Sequence, residues 1–363
     1  MNILILTKEN NGGGLVTHVI NLANTLKKKG HNVIVVGPLV DGEKKRFKEI
    51  ECQFEPMNLS TKNPLEFLKN TKKLIKITKK RKIDIIHSHN RIASIYAQIL
   101  WKKEKIPFVW TLHLNNIPSN PLSRILTFYG KKVIVVSSDI IPFCRDKLKI
   151  NPADIAVGYN GVPEDKYRVY TDTEKEEIRN RYKINKDEKV IVVLSRLDPI
   201  KGHEKVIEAV SKIKTQSNYV ILFTGESMVR GYKEALKKLI VEKGVKDKIK
   251  FVGHVNPVDI LNISDIFLLP SDNEGFPISM IEAFLLHVPV IRTKTGGYED
   301  VKKFIIPMEG IDSLTEILRK FLSDQMETKE NVENGYQFAI ENCTCKAMTE
   351  RVLGIYEEVI GGK

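Results

Sequence analysis

DIFLLPSDNEGFPISMIEAF, residues 265–284, reads as a strand, a loop and a helix in succession. The run IFLL has no polar position to turn toward water, the signature of a strand covered on both faces of a parallel sheet. SDNEGFP is built from turn formers, and a helix is expected from about Ile278. Pro277 suits the first helical turn, where its missing amide costs nothing. Gly275 leaves room for a ligand close to the backbone. The amides of Gly275, Phe276 and Ile278 would sit at or near the helix N-terminus, where partial positive charge favours acceptors. Glu274 lies just ahead of that turn and Glu282 four residues past Ile278, so two carboxylates stand ready to accept from hydroxyl groups. The competing reading is a solvated loop carrying two unrelated glutamates.

The same alternation of apolar strand and helix runs through the chain. Strands are expected at 2–7, 32–37, 83–88, 108–113 and 132–137, and a second series at 189–195, 219–225, 249–253, 265–270 and 289–294. Two such series with crossover helices give the fold class α/β, with two doubly wound Rossmann-like domains. VPEDKYRVYTDTEKEE breaks the alternation and puts the boundary near 162–180. The domains expected are 1–165 and 166–344, with the amphipathic stretch 345–363 returning to the first. At 363 residues the chain has room for two full cores.

No apolar run reaches the roughly 18 residues of a membrane span. The opening MNILILTKENNGGG is a short strand and a glycine loop without the marks of a signal peptide, so a cytoplasmic location is expected. Cys52, Cys144, Cys343 and Cys345 are irregularly spaced, and one C-x-C has no second pair to complete a zinc site. They read as free thiols.

Charge divides unevenly. Residues 1–165 carry 27 Lys and Arg against 14 Asp and Glu, whereas residues 166–363 carry 31 of each, so the whole excess of +13 lies in the first half. Much of it falls in KNPLEFLKNTKKLIKITKKRK (62–82), with nine basic residues and one acid. Asn63, Pro64 and Glu66 fit N-cap, N1 and N3 of a helix, and Leu65, Leu68, Leu74, Ile75 and Ile77 supply its apolar side. A core-packed helix with a solvated lysine face and a contact with an anionic membrane surface are both compatible with this pattern. Nucleic acid is not an expected partner, because no binding motif or aromatic interleaving accompanies the charge.

Ligands of open α/β sheets bind beyond the carboxyl ends of the strands, which is where the remaining motifs fall. Asn11-Gly12-Gly13-Gly14 follows the first strand and opens a helix, aiming backbone amides at a phosphate. The spacing is not G-x-G-x-x-G and no acid closes the second strand, which disfavours a nicotinamide cofactor. In SRLDPIKGH (195–203), Arg196 and Lys201 flank a loop after a strand, so two cations can converge on a diphosphate. His113 ends a strand and presents an imidazole to a reacting group or to a backbone carbonyl. His87 and His89 point to one side of a strand, but with no third ligand at readable spacing a structural role is expected. No D-x-D and no G-x-S-x-G occurs. A metal-held diphosphate and a hydrolase elbow therefore lack their usual residues.

Taken in order, these motifs resemble the retaining glycosyltransferases of family 4, the glycosyl transferases group 1 of the GT-B fold. The resemblance runs from the GGG loop through HSH (87–89), His113, VIVVSS (133–138), NGVP (160–163), SRLDPIKG, GHV (253–255) and SDNEGFPISMIEAF to TGGYED (295–300). It implies two Rossmann-like domains facing across a cleft, an acceptor-side domain first and a nucleotide-sugar domain second. It implies that Gly13, Gly14, Arg196 and Lys201 hold the leaving diphosphate, that Glu274 contacts the transferred sugar and Glu282 the ribose, and that His254 neighbours the base. Gly275, Phe276, Pro277 and Ile278 complete the donor site, and Arg196, Lys201, Glu274 and His113 are the residues expected to act in catalysis.

The reaction implied is transfer of a hexose or N-acetylhexosamine from a UDP-linked or related nucleotide diphosphate sugar, with no metal and no cofactor. The expected acceptor is a lipid-linked or other cell-envelope glycan, as in polysaccharide biosynthesis, with peripheral contact at the inner face of the membrane left open. A soluble acceptor, a sugar-nucleotide epimerase of the same architecture and a non-catalytic sugar-nucleotide-binding module are the alternatives.

Overall fold

A computed structural model describes residues 1–8, 13–38 and 52–362. It divides into two compact units, Met1–Pro163 with Asn342–Lys363, and Glu164–Glu341. Asn11 and Gly12 of the glycine loop lie outside the described residues.

Unit 1 is a seven-stranded parallel sheet. Its elements are β1 (Asn2–Leu6), α1 (Gly14–Lys28), β2 (Asn32–Gly37), β3 (Gln53–Pro56), α2 (Pro64–Arg81), β4 (Ile85–Ser88), α3 (Arg91–Glu104), β5 (Phe108–Leu112), α4 (Pro121–Ile125), β6 (Lys132–Val135) and β7 (Ile155–Val157). The strand order β3-β2-β1-β4-β5-β6-β7 places β1 at the doubly wound switch point. Alternate residues of β1 explain the layering. Ile3 and Ile5 join one core with Val16, Val19, Leu22 and Leu26 of α1. Leu4 and Leu6 join the other, with Leu74 of α2 and Ala93, Tyr96 and Ala97 of α3. Each such aliphatic side chain contributes about 1.5–3 kcal/mol on burial, which is why the strand shows no polar alternation.

Unit 2 comprises α5 (Asp172–Arg181), β8 (Lys189–Val193), α6 (His203–Ser211), β9 (Tyr219–Thr224), α7 (Tyr232–Glu242), β10 (Ile249–Gly253), α8 (Pro257–Asn262), β11 (Ile266–Leu269), α9 (Ile278–Leu285), β12 (Val290–Thr293), α10 (Tyr298–Val301), β13 (Ile306–Met308), α11 (Gly310–Leu322) and α12 (Lys329–Asn342). Its six strands run parallel in the order β10-β9-β8-β11-β12-β13. The chain then returns to unit 1 through α13 (Cys345–Gly361), whose Met348, Val352, Ile355, Tyr356 and Val359 lie in the α1 core.

Ten strands were expected and all form; β3, β7 and β13 are additional, and each is a sheet edge. Edge strands have one neighbour and incomplete cover, so most of their residues are partly buried or exposed, Met308 excepted, and they give no continuous apolar run.

The basic helix α2 starts as expected, with the Asn63 side chain accepting from the amides of Leu65 and Glu66 and Pro64 at N1. Its inward face differs from the one read. Asn70, Thr71, Leu74 and Thr78 are buried and Phe67 stacks against Tyr96, whereas Leu65 and Leu68 are 77% and 55% exposed. Positions 67, 70, 71, 74 and 78 form one helical stripe, and Leu65 and Leu68 fall outside it.

The four cysteines are free thiols. Among the described residues no helix is long and apolar enough to cross a membrane.

Candidate active site

Two loops of unit 2 meet at the carboxyl ends of the adjacent strands β8 and β11. The first leaves β8 through Ser195 and Arg196 and turns at Pro199–Lys201, where Asp198 accepts from the amide of Ile200 at 3.1 Å. Gly202 closes the turn at φ +71°, and a Cβ there would stand 2.2 Å from the carbonyl oxygen of Pro270, so only glycine brings this loop against the end of β11. The second loop answers with the amide of Asp272, which donates to the Ile200 carbonyl at 2.8 Å. Lys205 adds a bond to the Pro270 carbonyl and an ion pair with Asp272.

This seam carries the main charged contact of the site. Lys201 Nζ lies 2.7 Å from Glu274 Oε1, with the side chains 18% and 11% exposed. For a lysine and a glutamate this well covered, the pairing offsets the cost of removing each from water. Arg196 is more open, 41% exposed and 3.9 Å from Asp198 Oδ2.

The backbone under Glu274 is fixed from a third loop. A Cβ on Gly296 would meet the Glu274 carbonyl oxygen at 2.2 Å, so the turn after β12 lies directly against it. Arg292, fully buried on β12, donates to the carbonyls of Thr295 at 3.1 Å and Gly296 at 2.8 Å. It therefore ties the end of its own strand to the support of the Glu274 loop. Sequence reading missed Arg292, although an arginine inside the apolar strand PVIRTK was its signal.

The helix α9 begins at Ile278 with no side-chain cap at its N-terminus, and Pro277 stands at the N-cap in extended conformation. Proline thus falls one position ahead of the first helical turn in which it was read. Phe276 is 3% exposed, so its ring is buried beneath this terminus. Glu282 is 8% exposed and accepts from the Tyr167 hydroxyl at 2.6 Å. His254 is exposed just past β10.

Unit 1 carries a different chemistry at its strand ends. Gly13 is the N-cap of α1, extended at φ −116°, with open space where a Cβ would project, and Gly14 is the first helical residue. Below it four histidines converge. His18 comes from α1, His87 from β4, His89 from the residue after β4, and His113 from the residue after β5. His87 and His89 stack at 4.2 Å between centroids, and His18 lies 5.3 Å from His89 and 4.9 Å from His113. His89 Nδ1 and His113 Nε2 are 3.2 Å apart.

Both nitrogens of His87 are bonded, at 2.6 Å to the hydroxyls of Tyr356 and Thr111, so the structural role expected for it holds. Burial, and then repulsion between rings, holds His87, His89 and His113 well below the usual histidine range, and burial takes His18 to about 4. All four are neutral at pH 7. His18 was missed in the sequence because it stands 69 positions before His87; a histidine on the apolar face of α1 was the available clue.

The two halves of the chain match two family models, "Glycosyltransferase Family 4" over residues 12–166 and "Glycosyl transferases group 1" over residues 174–338. The chain is a family 4 glycosyltransferase. A crystal structure of a glycosyltransferase from Rickettsia africae superposes on it with a TM-score of 0.87 at 25% identity, covering 100% of this chain and 99% of that one, and the fold is GT-B. Among curated relatives, N-acetyl-alpha-D-glucosaminyl L-malate synthase of Bacillus anthracis is 28% identical over 240 residues, 63% of this chain and 61% of that protein. The UDP-Gal:alpha-D-GlcNAc-diphosphoundecaprenol alpha-1,3-galactosyltransferase of Escherichia coli is 25% identical over 72% of this glycosyltransferase and 73% of its own length.

Proposed function

We propose that this glycosyltransferase moves a hexose or N-acetylhexosamine from a UDP-linked donor, with retention of configuration, to a lipid-linked or other cell-envelope glycan acceptor. The observation that carries the reading is the meeting of Lys201 and Glu274 at 2.7 Å, from two loops beyond adjacent strands. A diphosphate entering there takes Lys201 as its counter-charge, which turns Glu274 toward the hydroxyls of the attached sugar. Arg196, on the same loop as Lys201, supplies a second cation. The amides opening α9 add partial positive charge, and Glu282 accepts from the ribose diol.

Breaking the sugar–phosphate bond loads negative charge on the departing diphosphate. Preorganised cations and amides stabilise that charge, and transfer needs neither metal nor cofactor. Glu274 is assigned to sugar binding, and retention is read as same-face attack, the leaving phosphate taking the acceptor's proton. His113, in unit 1, is neutral at pH 7, fit to accept or donate one hydrogen bond.

The acceptor class rests on unit 1. Leu65 and Leu68 are exposed on the lysine-rich α2, and Leu122 and Ile125 of α4 are each 71% exposed, an arrangement suited to an anionic lipid surface. The Escherichia coli relative named above acts on a diphosphoundecaprenol acceptor. A second reading, a soluble anionic acceptor, is favoured by the malate synthase relative together with the basic charge of the first half.

A thermal-shift screen of UDP-, GDP- and ADP-sugars with and without magnesium tests the donor site, because a ligand of the folded state raises the melting temperature. A shift with the UDP series, independent of magnesium and lost in Lys201→Ala, is expected; no shift with any donor would overturn the assignment. Activity toward the acceptor pool in vesicles but not in detergent-free, lipid-free buffer separates the two acceptor readings.

A further inference from the structure

We infer that unit 1 contains a transition-metal site formed by His18, His89 and His113. One imidazole nitrogen from each lies within 4.8 Å of those of the other two. The 3.2 Å between His89 Nδ1 and His113 Nε2 already matches the roughly 3.3 Å separating two ligands on a tetrahedral ion with bonds of about 2.05 Å.

The hydrogen bonding leaves the right atom bare. His18 Nδ1 lies 2.9 Å from the Asn160 side-chain oxygen, which only accepts, so the proton sits on Nδ1 and the lone pair on Nε2. His18 is 98% buried, yet that Nε2 has no hydrogen-bond partner among the described residues. That orphaned nitrogen carries a cost that a metal ion removes.

Between His89 and His113 one proton is shared. When a metal takes both nitrogens, the donor ring keeps that proton on its other nitrogen by tautomerising, so three neutral imidazoles bind without net proton loss. Asn160 then acts on His18 as an outer-shell acceptor, orienting the ring and raising its basicity. His87, stacked on His89 and anchored by Tyr356 and Thr111, holds the second ring in place.

The donor set selects the ion. Three imidazoles and no carboxylate suit Zn2+, Co2+, Ni2+ or Cu2+ and not Mg2+ or Ca2+. The fourth position is left to water, and it opens where His113 retains partial exposure at the end of β5.

Titration of untagged, chelator-treated full chain with Co2+ is the test. The expected result is one tightly bound equivalent with the strong visible d–d absorption of a four-coordinate ion, displaced by Zn2+. His18→Asn and His113→Gln should each weaken Co2+ binding at least about tenfold, since even outer-shell changes cost that much. His287→Asn, which alters a histidine of unit 2 stacked on Tyr336, should leave it unchanged. His113→Gln lies at the partly exposed edge, so it decides the matter if His18→Asn fails to fold by circular dichroism. Absence of a stoichiometric Co2+ complex, or a complex that survives His113→Gln, overturns the inference.

Discussion

The two units place opposite electrostatics on the same scaffold. Each is a parallel sheet with its candidate residues beyond the strand ends, yet unit 2 gathers opposite charges there and unit 1 gathers four like titratable rings. Lys201 with Glu274 and Lys205 with Asp272 set opposite charges within ion-pair reach. His18, His87, His89 and His113 have no carboxylate among them and shed their protons. Burial penalises a lone charge far more than a matched pair, so the deeply covered rings of unit 1 are neutral while the less covered site of unit 2 sets charges in pairs. The first suits recognition of a diphosphate. The second suits hydrogen bonding, or a metal ion, at neutral imidazole.

The sharpest way to break this contrast is to remove a charge that unit 2 has buried. Arg292→Leu leaves the carbonyls of Thr295 and Gly296 without their donor and should lower the stability of unit 2 by about 3 kcal/mol. Hydrogen exchange resolved on β11 and β12 would register the loss, and unchanged protection there would remove Arg292 from its supporting role.

Acid tests the neutral histidines. His203, buried against Phe223, has its pKa lowered to about 4, chiefly by burial. Its folded value lies below the unfolded value of 6.5, so its full contribution to stability is present above about pH 6.5. That contribution falls as pH drops toward 4, because the unfolded chain binds the proton first. Between pH 7 and pH 5 the loss is about 2 kcal/mol. His203→Phe should make the stability of unit 2 correspondingly less sensitive to acid in denaturant titrations at the two pH values. In chelator, unit 1 with its four depressed histidines should lose exchange protection on acidification before unit 2 does; the reverse order would contradict the contrast.

Turnover probes the charged side. Arg196→Ala and Lys201→Ala should each lower transfer at least about tenfold, the scale of one lost charge-assisted contact. Near-normal rates in both would end the leaving-group assignment. The smallest effect belongs to the basic helix: Asn63→Ala removes the side-chain acceptor for two amides and should cost about 1 kcal/mol, seen as a lower melting temperature.

Much of the fold was legible because central parallel strands are buried on both faces and must be apolar throughout. NILIL, KVIVV and IFLL announce themselves for that reason. β3, β7 and β13 did not, since an edge strand meets no such demand. The loop and helix of 271–284 were equally plain, glycine and proline fixing the turn and apolar spacing the helix that follows. The inward stripe of α2 was not, because Leu65 and Leu68 are apolar without being covered. The partner that holds Tyr356 could not be read either, as Tyr356 and His87 are 269 positions apart.

What the sequence determined alone was local: the alternation of strand and helix, the chemistry of each loop, the N-cap of α2 and the lopsided charge. These follow from backbone propensity and from the period at which apolar residues recur. Tertiary structure decided which loops share a seam, pairing Lys201 with Glu274 across 73 positions. It also decided that four histidines drawn from α1, β4 and the loops after β4 and β5 share one water-poor pocket. Both outcomes depend on strand order, and strand order is set by the packing of whole helices against a twisted sheet, which no short stretch of residues encodes.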